Sequence, residues 1–416
     1  MGPDIRAAAD GVASEAPRPD APGANASDHR PALLLAVVPL LLLAGLLAII
    51  VSIGPTSLVR GDAYPPVERL SFGRVVLDTN GILATVLNDG PDPVHIAQVQ
   101  VDDAFWTFTA DGPLTLNHLG ETTLRIPYPW VEGEAHAIRV LTSTGASFDH
   151  QIAVAVATPA MDARTLGAYT LMGVYVGVLP VAFGLLWFPY LRRLPARGMD
   201  FLLALTVGLL AFLLVDGIHD GLEAAAALPA SFQGVVLFAI CVAGAFLVLE
   251  AVGGWLAGRR HAGGGWVLAL LIAVGIGLHN FGEGLAIGSA FSLGEAALGT
   301  LLVVGFTLHN TTEGLAIVAP LARERQAVRI GQLVQLGAIG GVPTIAGAWI
   351  GGFAYTPLWA VVFLGIGVGA IAQVVYQIGR QTARGTAALR AWTSWPVLGG
   401  LTAGVAVMYV TGMLVG

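Results

Sequence analysis

Lysine is missing from this chain altogether: all 20 of its basic residues are arginine, set against 27 Asp and Glu in 416 residues. Charged residues make up only 11% of the sequence and form no basic patch, which excludes nucleic acid as a partner. Cysteine occurs once, as Cys241. A single cysteine excludes both an intrachain disulfide and a thiolate metal cluster, and inside its apolar run Cys241 reads as a small buried hydrophobe. Apolar residues fill the space that charge leaves, at 55% of the chain with a mean hydropathy of +0.75. Glycine, at 55 residues, is about twice as frequent as in soluble proteins. Such a chain belongs mostly in lipid, where small residues let helices approach closely. The formal charge of -7 says little, because in membrane proteins the placement of arginines matters more than their sum.

Residues 1–30 are rich in Ala, Pro, Asp and Gly without apolar periodicity and read as a disordered cytoplasmic tail. Residues 31–53 form an apolar run long enough to cross the hydrocarbon layer, which takes about 20 residues. The alternative is a signal peptide. An uncleaved anchor is preferred, since the run exceeds a usual signal core and its exit, Ile53-Gly54-Pro55-Thr56-Ser57-Leu58, is a poor cleavage site. Residues 60–158 switch to alternating apolar and polar residues interrupted by turn signals such as Asn88-Asp89-Gly90-Pro91 and Asp111-Gly112-Pro113. Strands are expected at 94–101 and 137–141, within an immunoglobulin-like β-sandwich outside the cytoplasm. His95, His118, His136 and His150, with Asp102 and Asp103, read as solvated strand and loop residues, with metal capture as the sharper alternative.

Eight apolar segments follow, near 166–187, 201–223, 232–256, 266–290, 296–319, 330–353, 358–378 and 396–415, so residues 164–416 are expected to form an eight-helix membrane bundle. Arginine placement orients it. Arg192, Arg193 and Arg197 follow the first segment, Arg259 and Arg260 the third, Arg323, Arg325 and Arg329 the fifth, and Arg380, Arg384 and Arg390 the seventh. The loops after segments two, four and six contain none. By the positive-inside rule the arginine-bearing loops are cytoplasmic and the chain ends outside. Arg6, Arg18 and Arg30 place the N-terminus inside. The expected location is the cell membrane, with multiple passes.

Chemistry concentrates in a repeat. Segment four contains His279-Asn280-Phe281-Gly282-Glu283-Gly284-Leu285-Ala286-Ile287 and segment five His309-Asn310-Thr311-Thr312-Glu313-Gly314-Leu315-Ala316-Ile317. His and Glu at i and i+4 share a helix face, with Asn about 100° round. Each histidine lies thirteen residues into its segment from opposite ends, roughly 20 Å deep, so antiparallel neighbours bring both sets to one level. A single such residue is commonly a helix–helix hydrogen bond. A duplicated set at matched depth is better explained by a divalent cation, which removes the repulsion between two intramembrane carboxylates. Nitrogen and oxygen donors without sulfur suit Zn²⁺, Fe²⁺, Mn²⁺ or Cd²⁺.

These motifs resemble those of the ZIP (Zrt/Irt-like) family of divalent metal transporters, whose fourth and fifth helices carry HNxxEG-type motifs. The resemblance covers about residues 164–416 and implies an eight-helix ZIP-like bundle. It implies that His279, Asn280, Glu283, His309, Asn310 and Glu313 bind the metal, with Glu283 and Glu313 bridging, and that alternating access moves the site between faces in an elevator-like or rocking motion. This chain has Gly282 and Thr312 where many members have proline, and Val342 before Pro343 where a glutamate often stands, which weakens a second metal subsite. A histidine-rich inner loop is reduced to Arg259-Arg260-His261 and glycines.

Asp216, His219, Asp220 and Glu223 fall at i, i+3, i+4 and i+7 near the outer end of segment two, and read as a cation-concentrating entrance, with Asp216 deepest. The plainer alternative is an interfacial helix end. Gln332, Gln335, Gln373 and Gln377 read as helix-packing residues. The function expected is transport of divalent transition-metal ions, zinc foremost, into the cytoplasm, by a protein that is not an enzyme. A membrane-embedded metalloenzyme or a metal sensor is the alternative. Its expected partners are metal ions and lipid, with a homodimer left open.

Overall fold

The structure, a computed structural model, describes residues 29–53, 65–259, 264–294, 296–325, 327–382 and 393–415. The expected tail up to residue 28, the start of the expected sandwich, and Arg260, His261, Arg384 and Arg390 lie outside the described residues. The chain divides at Pro66 into two units. In the first, His29–Ile53 is one helix despite Pro39 within it. Every side chain from 37 to 50 is exposed. An apolar stretch with no protected face is compatible with a lipid surround.

The second unit opens with nine strands: β1 Leu70–Asp78, β2 Gly81–Asn88, β3 Val94–Val101, β4 Ala104–Trp106, β5 Thr109–Ala110, β6 Thr115–Leu116, β7 Glu121–Ile126, β8 His136–Thr142 and β9 Ser147–Ile152. One sheet runs β1-β2-β7-β5 and the other β4-β3-β8-β9, with β6 also on β3, all antiparallel. Both expected strands are present. In β3 the buried residues are Val94 and Ile96, then Val99 and Val101, which breaks strict alternation. An irregularity in the pairing between Ile96 and Gln98 takes up the extra residue, so both halves of the strand face the core. Val86, Val94, Ile138 and Val140 lie at the centre of that core, fully buried. Asn88, also buried, donates from Nδ2 to the Asp92 and Leu116 carbonyls and accepts from Gly90 N–H, which turns the chain from β2 toward β3.

Among the described residues eight helices follow that are long and apolar enough to span a membrane: α1 Ala163–Leu191, α2 Ala196–Ala226, α3 Gly234–Arg259, α4 Gly264–Ser292, α5 Ala296–Arg323, α6 Ile330–Ala354, α7 Pro357–Thr382 and α8 Trp395–Val415. They match the eight expected segments within a few residues, and the protein is compatible with a multi-pass membrane bundle. Prolines interrupt two helices. Pro180 has no N–H to give the Val176 carbonyl, and α1 widens to a π turn over Val174–Val178. Pro343 likewise divides α6 between Gly341 and Pro343.

Glycine contacts sort the helices into two groups. Within α1, α4, α5 and α6, a methyl at Gly284 would lie 2.1 Å from the Thr344 carbonyl oxygen, one at Gly351 2.2 Å from that of Leu285, and one at Gly184 2.2 Å from that of Thr311. Within α2, α3, α7 and α8, Gly208 meets the Leu401 carbonyl and Gly369 that of Val242 in the same way. Contacts across the groups include more yielding side-chain contacts, such as Val374 on Gly275 and Leu271 on Gly253.

The sandwich touches one end of the bundle. Ser231, between α2 and α3, donates to the Asp89 carbonyl at 2.6 Å. Gly294, between α4 and α5, packs on Val156. Arg74 donates to the Phe353 carbonyl at the end of α6. These are the three connections without arginine. At the opposite end Arg323 pairs with Asp200 at 3.7 Å and Arg192 reaches the Arg325 carbonyl.

Gly284→Val should lower the thermal stability of the detergent-solubilised protein by about 1–3 kcal/mol, because the Thr344 backbone cannot yield. Gly282→Ala, with open space at its Cβ, should leave the melting profile unchanged.

Candidate metal centre

Close backbone packing of α4 on α6 and of α5 on α1 sets where the repeated motifs lie. His279 is fifteen residues from the start of α4 and thirteen from its end, and His309 thirteen from the start of α5. Both are therefore mid-helix. The two histidines converge on one carboxylate. Nε2 of His309 lies 2.5 Å from Oε1 of Glu283, and Nε2 of His279 lies 3.3 Å from the same oxygen. These three ligand atoms all fall within 4.8 Å of one another. Bonds of about 2.0–2.1 Å to a tetrahedral ion put ligand atoms about 3.3 Å apart. The His279 spacing fits that figure, while His309 and Glu283 are in hydrogen-bond contact and must separate by about 0.8 Å to admit an ion.

The motif asparagines act first as struts. Asn310 Nδ2 donates to the Val176 carbonyl at 3.1 Å, the one Pro180 leaves without its helical partner, and also to Glu283 Oε2 at 2.8 Å. Asn280 Nδ2 donates at 3.0 Å to the Gly340 carbonyl, beside the break at Pro343. With the amide nitrogens so used, both Oδ1 atoms remain buried without a hydrogen-bond partner. Glu313 is equally buried, and neither of its oxygens has a partner among the described residues. It stands outside the group formed by His279, Glu283 and His309, so the two motifs are alike in sequence and unlike in contacts. An ionised carboxylate buried without donors is costly unless a cation is near.

A cavity of about 140 Å³ leads to this group. Asp216, Asp220, His279, Glu283 and His309 line it, with Phe306 and Phe363 among the apolar walls. Of the four residues on the α2 face, Asp216 and Asp220 reach the cavity. His219 and Glu223 do not line it and are exposed. His219 lies 3.5 Å from Asp220. The lining residues lie toward the sandwich end of each helix. Toward the arginine end, Val207 and Leu210 of α2, Ile272 and Ile276 of α4, Ile317 and Leu321 of α5, and Ile371 and Val374 of α7 form a continuous buried layer. The group is thus approached from the sandwich end and closed off by hydrocarbon from the other.

The sandwich histidines are dispersed. His95 bonds Thr115, His118 donates to the Gly90 carbonyl, and His150 stacks on Phe72, where burial pushes its imidazole below the ordinary range. Asp102 and Asp103 both have positive φ and make the two-residue turn joining β3 to β4. Asp102 also accepts from Tyr128 at 2.6 Å, from Ala137 N–H, and from Nδ1 of the buried His136 at 2.8 Å. Against its partial burial, these bonds hold Asp102 below the usual carboxylate range. The same contact pushes Tyr128 up to about 12. Sequence reasoning missed Glu250, although it is the single charge in the apolar run of α3. It pairs with Arg380 and Gln373.

In comparisons with known proteins, no family model and no curated protein matches the chain.

Equilibrium dialysis of the purified protein should give saturable zinc binding that Glu283→Gln abolishes and His309→Ala weakens at least about tenfold. In the sandwich, a tyrosine held neutral in the folded state contributes stability that is complete below its ordinary value of 10.0 and is lost as pH rises toward 12. Ultraviolet difference titration should show one tyrosine ionising near 12, absent in Tyr128→Phe and shifted down by Asp102→Asn.

Proposed function

We propose that this protein is a ZIP-type transporter that moves divalent transition-metal ions, with Zn²⁺ foremost and Fe²⁺, Mn²⁺ and Cd²⁺ of compatible chemistry, across the cell membrane into the cytoplasm. The observation that carries the reading is the convergence of His279, Glu283 and His309 in the bundle interior at the end of a cavity that Asp216 and Asp220 line. Two imidazoles and a carboxylate form a nitrogen–oxygen donor set for such an ion. Asn280, Asn310 and Glu313 add buried oxygens without hydrogen-bond partners close by in sequence. The acidic pair on α2 raises the local cation concentration at the mouth.

In this reading the arginine end faces the cytoplasm, the helix His29–Ile53 is an uncleaved anchor, and the sandwich is an immunoglobulin-like domain outside. The chain is then in an outward-facing state. Metal enters past Asp220 and Asp216, displaces the hydrogen bond between His309 and Glu283, and is released inward when the group of helices that bears the motifs shifts against the other. Closer backbone packing within each group than between them, where yielding side chains such as Val374 and Leu271 make contact, supports movement of that kind. Asp216 is the candidate for the ligand that Val342 does not supply.

Sealed proteoliposomes loaded with a zinc-sensitive dye test the reading. Uptake should be saturable and lost in Glu283→Ala and Glu313→Ala, while Asp220→Asn slows it at low zinc more than at saturation. Zinc occupancy of the purified protein without any flux in vesicles would overturn transport.

A further inference from the structure

A second polar cluster lies in the half of the bundle that the cavity does not reach. Glu250 of α3 takes the Arg380 guanidinium on Oε1 at 2.8 Å and Gln373 Nε2 on Oε2 at 3.2 Å. Gln373 is fully buried, and its Oε1 has no hydrogen-bond partner. Gln373 lies at the level of the apolar layer, between Ile371 and Val374 of α7. Gly367 of α7 packs against the His279 backbone, and Gln373 is six residues further toward the arginine end, about 9 Å along the helix. At and just beyond that level, Val374 and Leu271 press on Gly275 and Gly253.

We propose that Glu250 and Gln373 form an inner station for the divalent cation, occupied after the ion leaves His279, Glu283 and His309 and capped by Arg380 until then. The inference rests on the transport reading above. Turning the Gln373 amide over exchanges Nε2 for Oε1 and sets two oxygens, one of them charged, side by side. Oxygen donors hold a transition-metal ion more weakly than imidazoles do, as a release site requires. Arg380 neutralises Glu250 while the station is empty. Its side chain is half exposed at the last turn of α7 and already lies over the Tyr376 ring at 5.4 Å, a resting place for the displaced guanidinium. A purely structural strut between α3 and α7 accounts for the ion pair and leaves the buried Gln373 oxygen unexplained.

Zinc stoichiometry of the full chain in detergent separates the two. Wild type should hold one equivalent, Arg380→Gln two, and Arg380→Gln/Glu250→Gln one again, with thermal melts confirming that each variant is folded. In vesicles Glu250→Gln should slow uptake at saturating zinc about tenfold while half-saturation stays within about twofold. One equivalent in both wild type and Arg380→Gln would overturn the station and leave the transport reading standing. No zinc bound by wild type would overturn the transport reading itself.

Discussion

The arrangement depends on keeping one carboxylate, Glu283, ionisable in the middle of an apolar bundle. Removing a carboxylate from water costs several kcal/mol unless donors or cations replace the lost hydration. Two side chains hydrogen-bond it, His309 at Oε1 and Asn310 at Oε2, and His279 Nε2 stands 3.3 Å from Oε1 without a hydrogen bond of its own. They come from two helices, so α4 and α5 must hold a fixed register. The small residues of α4 and α6, and of α5 and α1, enforce that register by leaving no room for the helices to slide.

The two prolines belong to the same design. A proline in a membrane helix leaves a carbonyl without its partner, and in hydrocarbon that group must be satisfied from elsewhere. At Val176 the donor is Asn310; near the second proline Asn280 donates to the Gly340 carbonyl, next in the chain to the Ile339 carbonyl that Pro343 leaves without its helical partner. Each motif asparagine thus ties its helix to an irregular turn in a neighbour and fixes its own amide orientation, nitrogen to the backbone. Both amide oxygens stay unpartnered next in sequence to the histidines, so the tie and the candidate site are one structure.

Much of the fold was legible in the residues. Apolar runs of spanning length became eight helices, and the alternation around Val94 and Val140 became paired strands. Loops without arginine meet the sandwich, and Arg192 and Arg323 make their contacts at the opposite end, as charge placement alone anticipates. The candidate site was legible as a motif pair and a depth. Its asymmetry was not: nothing in the repeat distinguishes Glu283 from Glu313, yet both histidines face the first. That choice follows from how α4 and α5 are rotated about their axes, which the glycine contacts with α6 and α1 decide. The four residues on α2 divide for the same reason. Spacing placed Asp216, His219, Asp220 and Glu223 on one face, and the packing of α2 decides that only the two aspartates line the cavity.

The linear chain by itself determined which segments are long and apolar enough to cross a membrane, where its charges are placed, and that two His/Asn/Glu sets recur mid-segment, because hydrophobicity, charge and helical period are properties of sequence. Tertiary structure alone decided that the histidines gather at a single carboxylate, that the asparagines tie their helices to the two proline-interrupted neighbours, and that the cavity opens toward the sandwich while apolar side chains close the other side. Those outcomes depend on rotation and contact between helices remote in sequence, and the 3.6-residue period of one helix carries no information about which neighbour it will face.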